Sequence, residues 1–158
     1  MIEGSGEAGA RSGYQPALLV SACLLGVRCN HRGEASTSDA VVALGAQHRL
    51  IPVCPETAGG LPTPRAAAEQ QADGTVRTAD GHDVTQWYER GAAHAVRLAQ
   101  AVGATRAVLK ARSPSCGCHE VYDGTFTRTR VAGEGVTARA LRAAGVDVVS
   151  EHDLDGSA

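Results

Sequence analysis

Aromatic side chains are scarce in this 158-residue chain: one Trp, one Phe and three Tyr. Its core must therefore be built from Ala, Val and Leu, and recognition of nucleic acid by extensive base stacking is disfavoured. An excess of positive charge is also missing. The formal charge of −2 argues against a strongly basic nucleic-acid surface, so a small or mononucleotide substrate fits better than a long polyanion. No apolar run is long enough to cross a bilayer, so no membrane partner is expected. The opening Met1–Gly13, rich in Gly with Glu and Ser, lacks the charged start and apolar centre of a signal peptide. It reads as a disordered leader, with residues 14–158 as a single domain. Without an export signal a cytoplasmic location is expected, where thiols stay reduced. Also absent are a C-x2-C pair, which disfavours a zinc ribbon, and a phosphate loop.

What the chain does have is five cysteines, an odd number that speaks against a disulfide frame. Cys23, Cys54 and Cys116 each fall just past a short apolar run, in the contexts S-A-C-L-L-G, P-V-C-P-E and S-P-S-C-G. The pattern predicts strands at Ala17–Ser21, Leu50–Cys54, Arg106–Lys110 and Val146–Ser150. Helices are expected from Ser38 or Asp39 to about Gln47, from Val84 to Val102 behind a capping box at Asp83–Gln86, and over Thr137–Ala144. Pro55 is read as the stop of the second strand, the 58–65 segment as a rigid loop, and residues 75–82 as a small hairpin. Alternating strands and helices imply an α/β fold, a three-layer sandwich with a largely parallel sheet. Ligands of such sheets sit outside the carboxyl ends of the strands, and all three cysteines fall there.

Three converging thiolates leave a fourth coordination position open, which suits a reactive metal centre, and iron–sulfur clusters accept ligands dispersed along a chain. Buried cysteines acting as small hydrophobes are the plainer reading. Cys29 and Cys118 are spare thiols. Glu56, stiffened by Pro55 beside Cys54, is placed for proton transfer, or is a solvated loop carboxylate. Lys110 ends an apolar strand, where its ammonium can stabilise an anion. Ser113 and Ser115 offer donors in the turn before Cys116. The glycines around Glu134 read as a structural helix entry. His31 and His119 lie in site loops but read as solvated.

Taken together, S-A-C-L-L-G-V-R-C-N-H-R-G, P-V-C-P-E-T-A-G-G-L-P-T-P-R, L-K-A-R-S-P-S-C-G and Y-D-G-T-F…G-E-G-V-T-A resemble the thiouracil desulfidase family, over about Ala17 to Glu151. The resemblance implies a Rossmann-like domain holding a [4Fe-4S] cluster through Cys23, Cys54 and Cys116, with one iron open. It further implies non-redox removal of sulfur from a thiolated pyrimidine by water, releasing hydrogen sulfide, with Glu56, Lys110 and Ser113 as acid–base groups. The expected partner is a small thiolated base or nucleotide: 2- or 4-thiouracil, 4-thiouridine or its monophosphate. Thiolated tRNA is a less favoured substrate. A metal- or redox-sensing module without turnover is the alternative. Two departures stand out: Asn30-His31-Arg32-Gly33 replaces the usual R-Y-D-G, and Cys118 is unusual.

Overall fold

The computed structural model describes residues 14–155; the expected leader lies outside the described residues. Four parallel strands form the central sheet in the order β2-β1-β5-β8: β1 (Ala17–Ser21), β2 (Arg49–Val53), β5 (Arg106–Leu109) and β8 (Asp147–Ser150). Alternation along the strands decides what each face buries. Leu19, Ala107, Leu109 and Val148 pack on one side with Ala95 and Ala99 of α3 (Thr85–Val102) and Ala138 and Leu141 of α4 (Val136–Ala143). Leu18, Val20 and Val108 pack on the other, against Leu24 and against Val41 of α1 (Asp39–Ala43). The result is helix, sheet, helix: the Rossmann-like three-layer arrangement expected from the sequence. No helix among the described residues is long and apolar enough to cross a membrane.

Local chemistry explains the helix limits. Ser38 caps α1 by accepting the Val41 N–H, and the segment tightens to a 3-10 turn at Leu44–Ala46. Gly103, left-handed at φ 71°, ends α3. The expected capping box at its start does not form. Val84 is the cap residue, and Asp83 Oδ1 instead accepts the N–H and hydroxyl of Thr85. Pro55 does more than stop β2. It opens a single helical turn, α2 (Pro55–Ala58), where its missing N–H is no loss.

Two short antiparallel pairs lie outside the main sheet. β3 (Ala68–Gln70) pairs with β4 (Val76–Thr78), and β6 (Glu120–Tyr122) with β7 (Arg130–Ala132). The strand at 76–78 was expected, but its main partner precedes it in the chain rather than following the turn at Asp80–His82.

Candidate functional site

The strand order reverses between β1 and β5: the chain leaves β1 toward β2 on one side and leaves β5 toward β8 on the other. A crevice opens at such a switch point, beyond the carboxyl ends of the strands. It holds a cleft of about 490 Å³, and each strand places a polar or thiol group at or beside it. Cys23 follows β1 in a 3-10 turn, Cys54 follows β2, and Lys110 and then Cys116 follow β5. Glu151, directly after β8, reaches back beneath Lys110.

Cys23, Cys54 and Cys116 all line this cleft, together with Cys29. All five cysteines are free. Burial pushes the Cys23 thiol up to about 11, Lys110 partly countering it and neighbouring Cys54 adding to it. Burial pushes Cys116 to about 12; a hydrogen bond from Ser21 opposes this, while Glu56, Cys23 and Cys54 add to it. Cys29 is raised to about 12 by burial and by Cys54, whose Sγ lies 3.7 Å from the Cys29 carbonyl oxygen. The thiols are thus near enough to feel one another's charge. Cys118 is different: it is buried in the main core beside α3 and α4, outside the cleft.

Glu56 is held by Arg65, Nε donating to Oε1 at 2.7 Å, and both side chains are nearly buried. The rest of the guanidinium donates to the carbonyl oxygens of Cys29 at 2.8 Å and Pro62 at 3.1 Å and to the Thr63 hydroxyl at 3.1 Å. One cation therefore ties the Glu56 turn to the Cys29 loop. Burial, and then the neighbouring Glu56 carboxylate, raise the Tyr88 phenol above its ordinary range. Lys110 Nζ lies 3.2 Å from Glu151 Oε2, and Oε1 of the same buried carboxylate accepts the Ala111 N–H at 2.8 Å. Ser21 Oγ accepts the Lys110 N–H at 2.9 Å, linking β1 to β5 at the rim.

Ser113 Oγ accepts the N–H groups of Ser115 and Cys116, both at 3.0 Å, and so shapes the turn that presents the Cys116 thiol. Ser115, expected to offer a donor in the cleft, turns the other way. It is 1% exposed, and its hydroxyl pairs with that of Thr137 at 2.8 Å at the start of α4. Its contribution is to seat α4, whose Thr137 and Ala138 N–H groups donate to its carbonyl. Gly135 permits that approach, since a Cβ there would lie 2.3 Å from the Ser115 carbonyl. The glycines around Glu134 thus have the structural role expected of them.

His31 lines the cleft, with burial and Arg32 lowering its pKa, while His119 pairs with Asp153 at 2.8 Å outside it. Sequence reasoning gave no role to Arg65, Glu151, Tyr88 or Ser21. Arg65 lay inside a quoted motif, and Glu151 stands directly after β8, the position that Cys54 and Lys110 hold after β2 and β5.

Fold and site together define a small Rossmann-like α/β domain with a thiol-lined cleft at the switch point of its sheet. The chain belongs to the 2-thiouracil desulfurase family, whose model matches residues 18–153. Uncharacterized protein YbbK of Bacillus subtilis (strain 168) is 39% identical over 147 residues, covering 87% of this chain and 97% of that protein. Among solved structures, the [4Fe-4S]-dependent thiouracil desulfidase TudS aligns with a TM-score of 0.84 at 44% identity, over 90% of this chain and 95% of its own.

Proposed function

We propose that this protein is a [4Fe-4S]-dependent desulfidase that replaces the sulfur of a thiolated pyrimidine by oxygen and releases hydrogen sulfide. The observation that carries the reading is the meeting of Cys23, Cys54 and Cys116 with Glu56, Lys110 and Ser113 around one cleft. The donor set fits the cluster: three thiols feel one another's charge, and no C-x2-C pair is present to build a closed zinc site. Cys23, Cys54 and Cys116 would hold a [4Fe-4S] group, which would supply Lewis-acid chemistry toward the substrate's sulfur.

The remaining chemistry belongs to the side chains. Glu56, fixed by Arg65, moves the proton between water and the pyrimidine, because its turn projects into the cleft directly after Cys54. Lys110 stabilises negative charge that develops as the carbon–sulfur bond breaks, with Glu151 fixing its position. Ser113 positions Cys116 through the two N–H groups it accepts. Among the described residues its own hydroxyl proton has no acceptor, so it is available to a substrate oxygen or sulfur.

The finer substrate is a nucleotide, 4-thiouridine monophosphate, rather than a free base; Arg32 and Arg128 on the cleft lining support a phosphate-bearing ligand. A reducing, cytoplasmic setting accords with five unpaired thiols. Protein reconstituted anaerobically should release sulfide from 4-thiouridine monophosphate or from 2- or 4-thiouracil. The Glu56→Ala variant should keep its iron and lose that release by two orders of magnitude or more, about the weight of a general acid–base group. A metal or redox sensor would be indifferent to Glu56→Ala, and iron-loaded wild type that yields no sulfide would favour it.

A further inference from the structure

A second, smaller hollow of about 130 Å³ lies outside the cleft, between the segment that precedes β6 and the 3-10 turn Glu151–Asp155 that follows β8. Cys118, His119, His152 and Asp153 are on its wall. Cys118 and His119 are neighbours in the chain, while Asp153 comes from 34 positions beyond His119. The Cys118 sulfur, a ring nitrogen of His119 and a carboxylate oxygen of Asp153 all lie within 4.8 Å of one another. Among the described residues no other three Cys, His, Asp or Glu side chains do so. Cys118 is buried, Asp153 partly buried and His119 exposed, so the group runs from the core to solvent and an ion can enter from outside.

The three residues are held from behind. Asp153 Oδ2 accepts the Ser150 N–H and pairs with His119 Nε2, both at 2.8 Å. The His119 carbonyl accepts the Gly133 N–H at 3.1 Å, and the Cys118 carbonyl accepts from Arg142 Nη2 at 3.4 Å. As an ion pair, His119 with Asp153 is too exposed to add much stability. As a core residue, Cys118 needs no imidazole and carboxylate beside its sulfur. Neither role explains why the three meet. Thiolate, imidazole and carboxylate are all donors that zinc takes, whereas calcium and magnesium call for oxygen alone. A tetrahedral zinc sets its donors about 3.5 Å apart, and the exposed His119 side chain can turn to close the difference. We propose that Cys118, His119 and Asp153 form a second metal site, suited to a zinc-class divalent cation and separate from the cleft. The fourth position opens on the hollow. The ion ties the turn after β8 to the segment before β6 and takes no part in the reaction at the cleft. This assignment stands apart from the desulfidase reading.

Zinc chloride is the probe, added to anaerobically reconstituted protein so that the cleft thiols are already engaged. Binding is followed by calorimetry, and retained metals are measured after desalting. The wild type should keep one zinc per chain beside its iron, and its Tm should rise with zinc concentration. His119→Ala changes an exposed side chain and should fold normally. It should keep its iron and weaken zinc binding about a hundredfold or more, beyond the loss expected of an outer partner. Cys118→Ser, close in size, should abolish zinc retention and keep iron, and Asp153→Asn should weaken zinc binding. Zinc retained equally by the wild type, His119→Ala and Cys118→Ser would overturn the site, as would a wild type that retains none. Loss in Cys118→Ser with His119→Ala unchanged would overturn the three-ligand set. Displacement of iron by zinc in the wild type and Cys118→Ser alike would assign the ion to the cleft thiols and also sink the proposal. The same titration of reduced, cluster-free protein keeps the two readings distinguishable. A deficit of one zinc per chain in Cys118→Ser relative to wild type supports the second site even where no cluster loads and no sulfide is released.

Discussion

Arg65 shows how much one side chain organises here. Its side chain is 6% exposed, and its guanidinium has four acceptors on three segments: Glu56, the Cys29 carbonyl, and the Pro62 and Thr63 oxygens. Only a planar fork reaches all of them, so lysine is no substitute. Arg65→Ala leaves a nearly buried carboxylate without its cation and should cost about 3–5 kcal/mol of stability in urea denaturation. Arg65→Lys keeps the charge but loses the link between Glu56 and the Cys29 loop. It should fold, and its sulfide release should fall by more than its stability does.

The thiols carry a pH prediction for the metal-free protein. Cys23 and Cys116 are raised from 9.0 to about 11 and about 12, chiefly by burial, so the folded state keeps protons that the unfolded chain gives up. That contribution is complete below pH 9 and is lost as pH climbs through the window from 9 to 12. Denaturation of metal-free, reduced protein should show stability falling as pH rises from 9 toward about 12, with a shallower fall in Cys116→Ala. Loading runs the other way: the thiols must lose their protons to become ligands, so reconstitution should improve as pH rises toward 9.

At the scale of elements, close backbone approach positions Cys54 and Glu56. The turn α2 lies directly on α3, and a Cβ on Gly91 would come within 1.9 Å of the Pro55 carbonyl oxygen. A Cβ on Gly59 would come within 2.0 Å of the Trp87 oxygen, so the contact is tight from both sides. In an exposed helix Gly→Ala gains about 1 kcal/mol. Here the sign should reverse: Gly91→Ala should lose about 2 kcal/mol or more in denaturation and lower sulfide release, because Glu56 shifts with Pro55.

The same elements show what a sequence can disclose. Ala17–Ser21 is a strand as expected, because its apolar run is buried on both faces and ends where Cys23 turns away. The end of α3 was legible in Gly103. The capping box failed because Asp83 satisfies Thr85 locally. The β6–β7 pair was missed because three-residue strands flanking a threonine-rich loop carry no hydrophobic period. Cys23, Cys54 and Cys116 were readable from their position after strands. The Arg65–Glu56 and Lys110–Glu151 partnerships were not, since tertiary packing chooses the partner. Ser115 shows the reverse error: its motif is in the site, but its hydroxyl is in the core.

At the scale of the whole molecule, the sheet order makes the five cysteines unequal. Strands β1, β2 and β5 point their carboxyl ends at one crevice, so the residues that follow them meet there, although 93 positions separate Cys23 from Cys116. Cys118, two residues further on, sits in the core beneath α3 and α4. Cys29 shares the cleft from the loop after the first 3-10 turn, eight residues past β1, much as Cys116 reaches it from a turn seven residues past β5. With Cys23, Cys54 and Cys116 as the ligands, Cys23→Ser, Cys54→Ser and Cys116→Ser should each lose most of the iron and acid-labile sulfide retained after anaerobic reconstitution. Cys118→Ala should cost about 1 kcal/mol of packing and keep full iron. Cys29→Ala separates proximity from ligation: it removes a thiol raised by burial and then by Cys54, yet should leave iron content and the visible absorption unchanged. Loss of iron in Cys29→Ala together with retention in any one of Cys23→Ser, Cys54→Ser or Cys116→Ser would exchange the two in the ligand set, and proximity in the cleft, not position along the chain, would then choose the ligands.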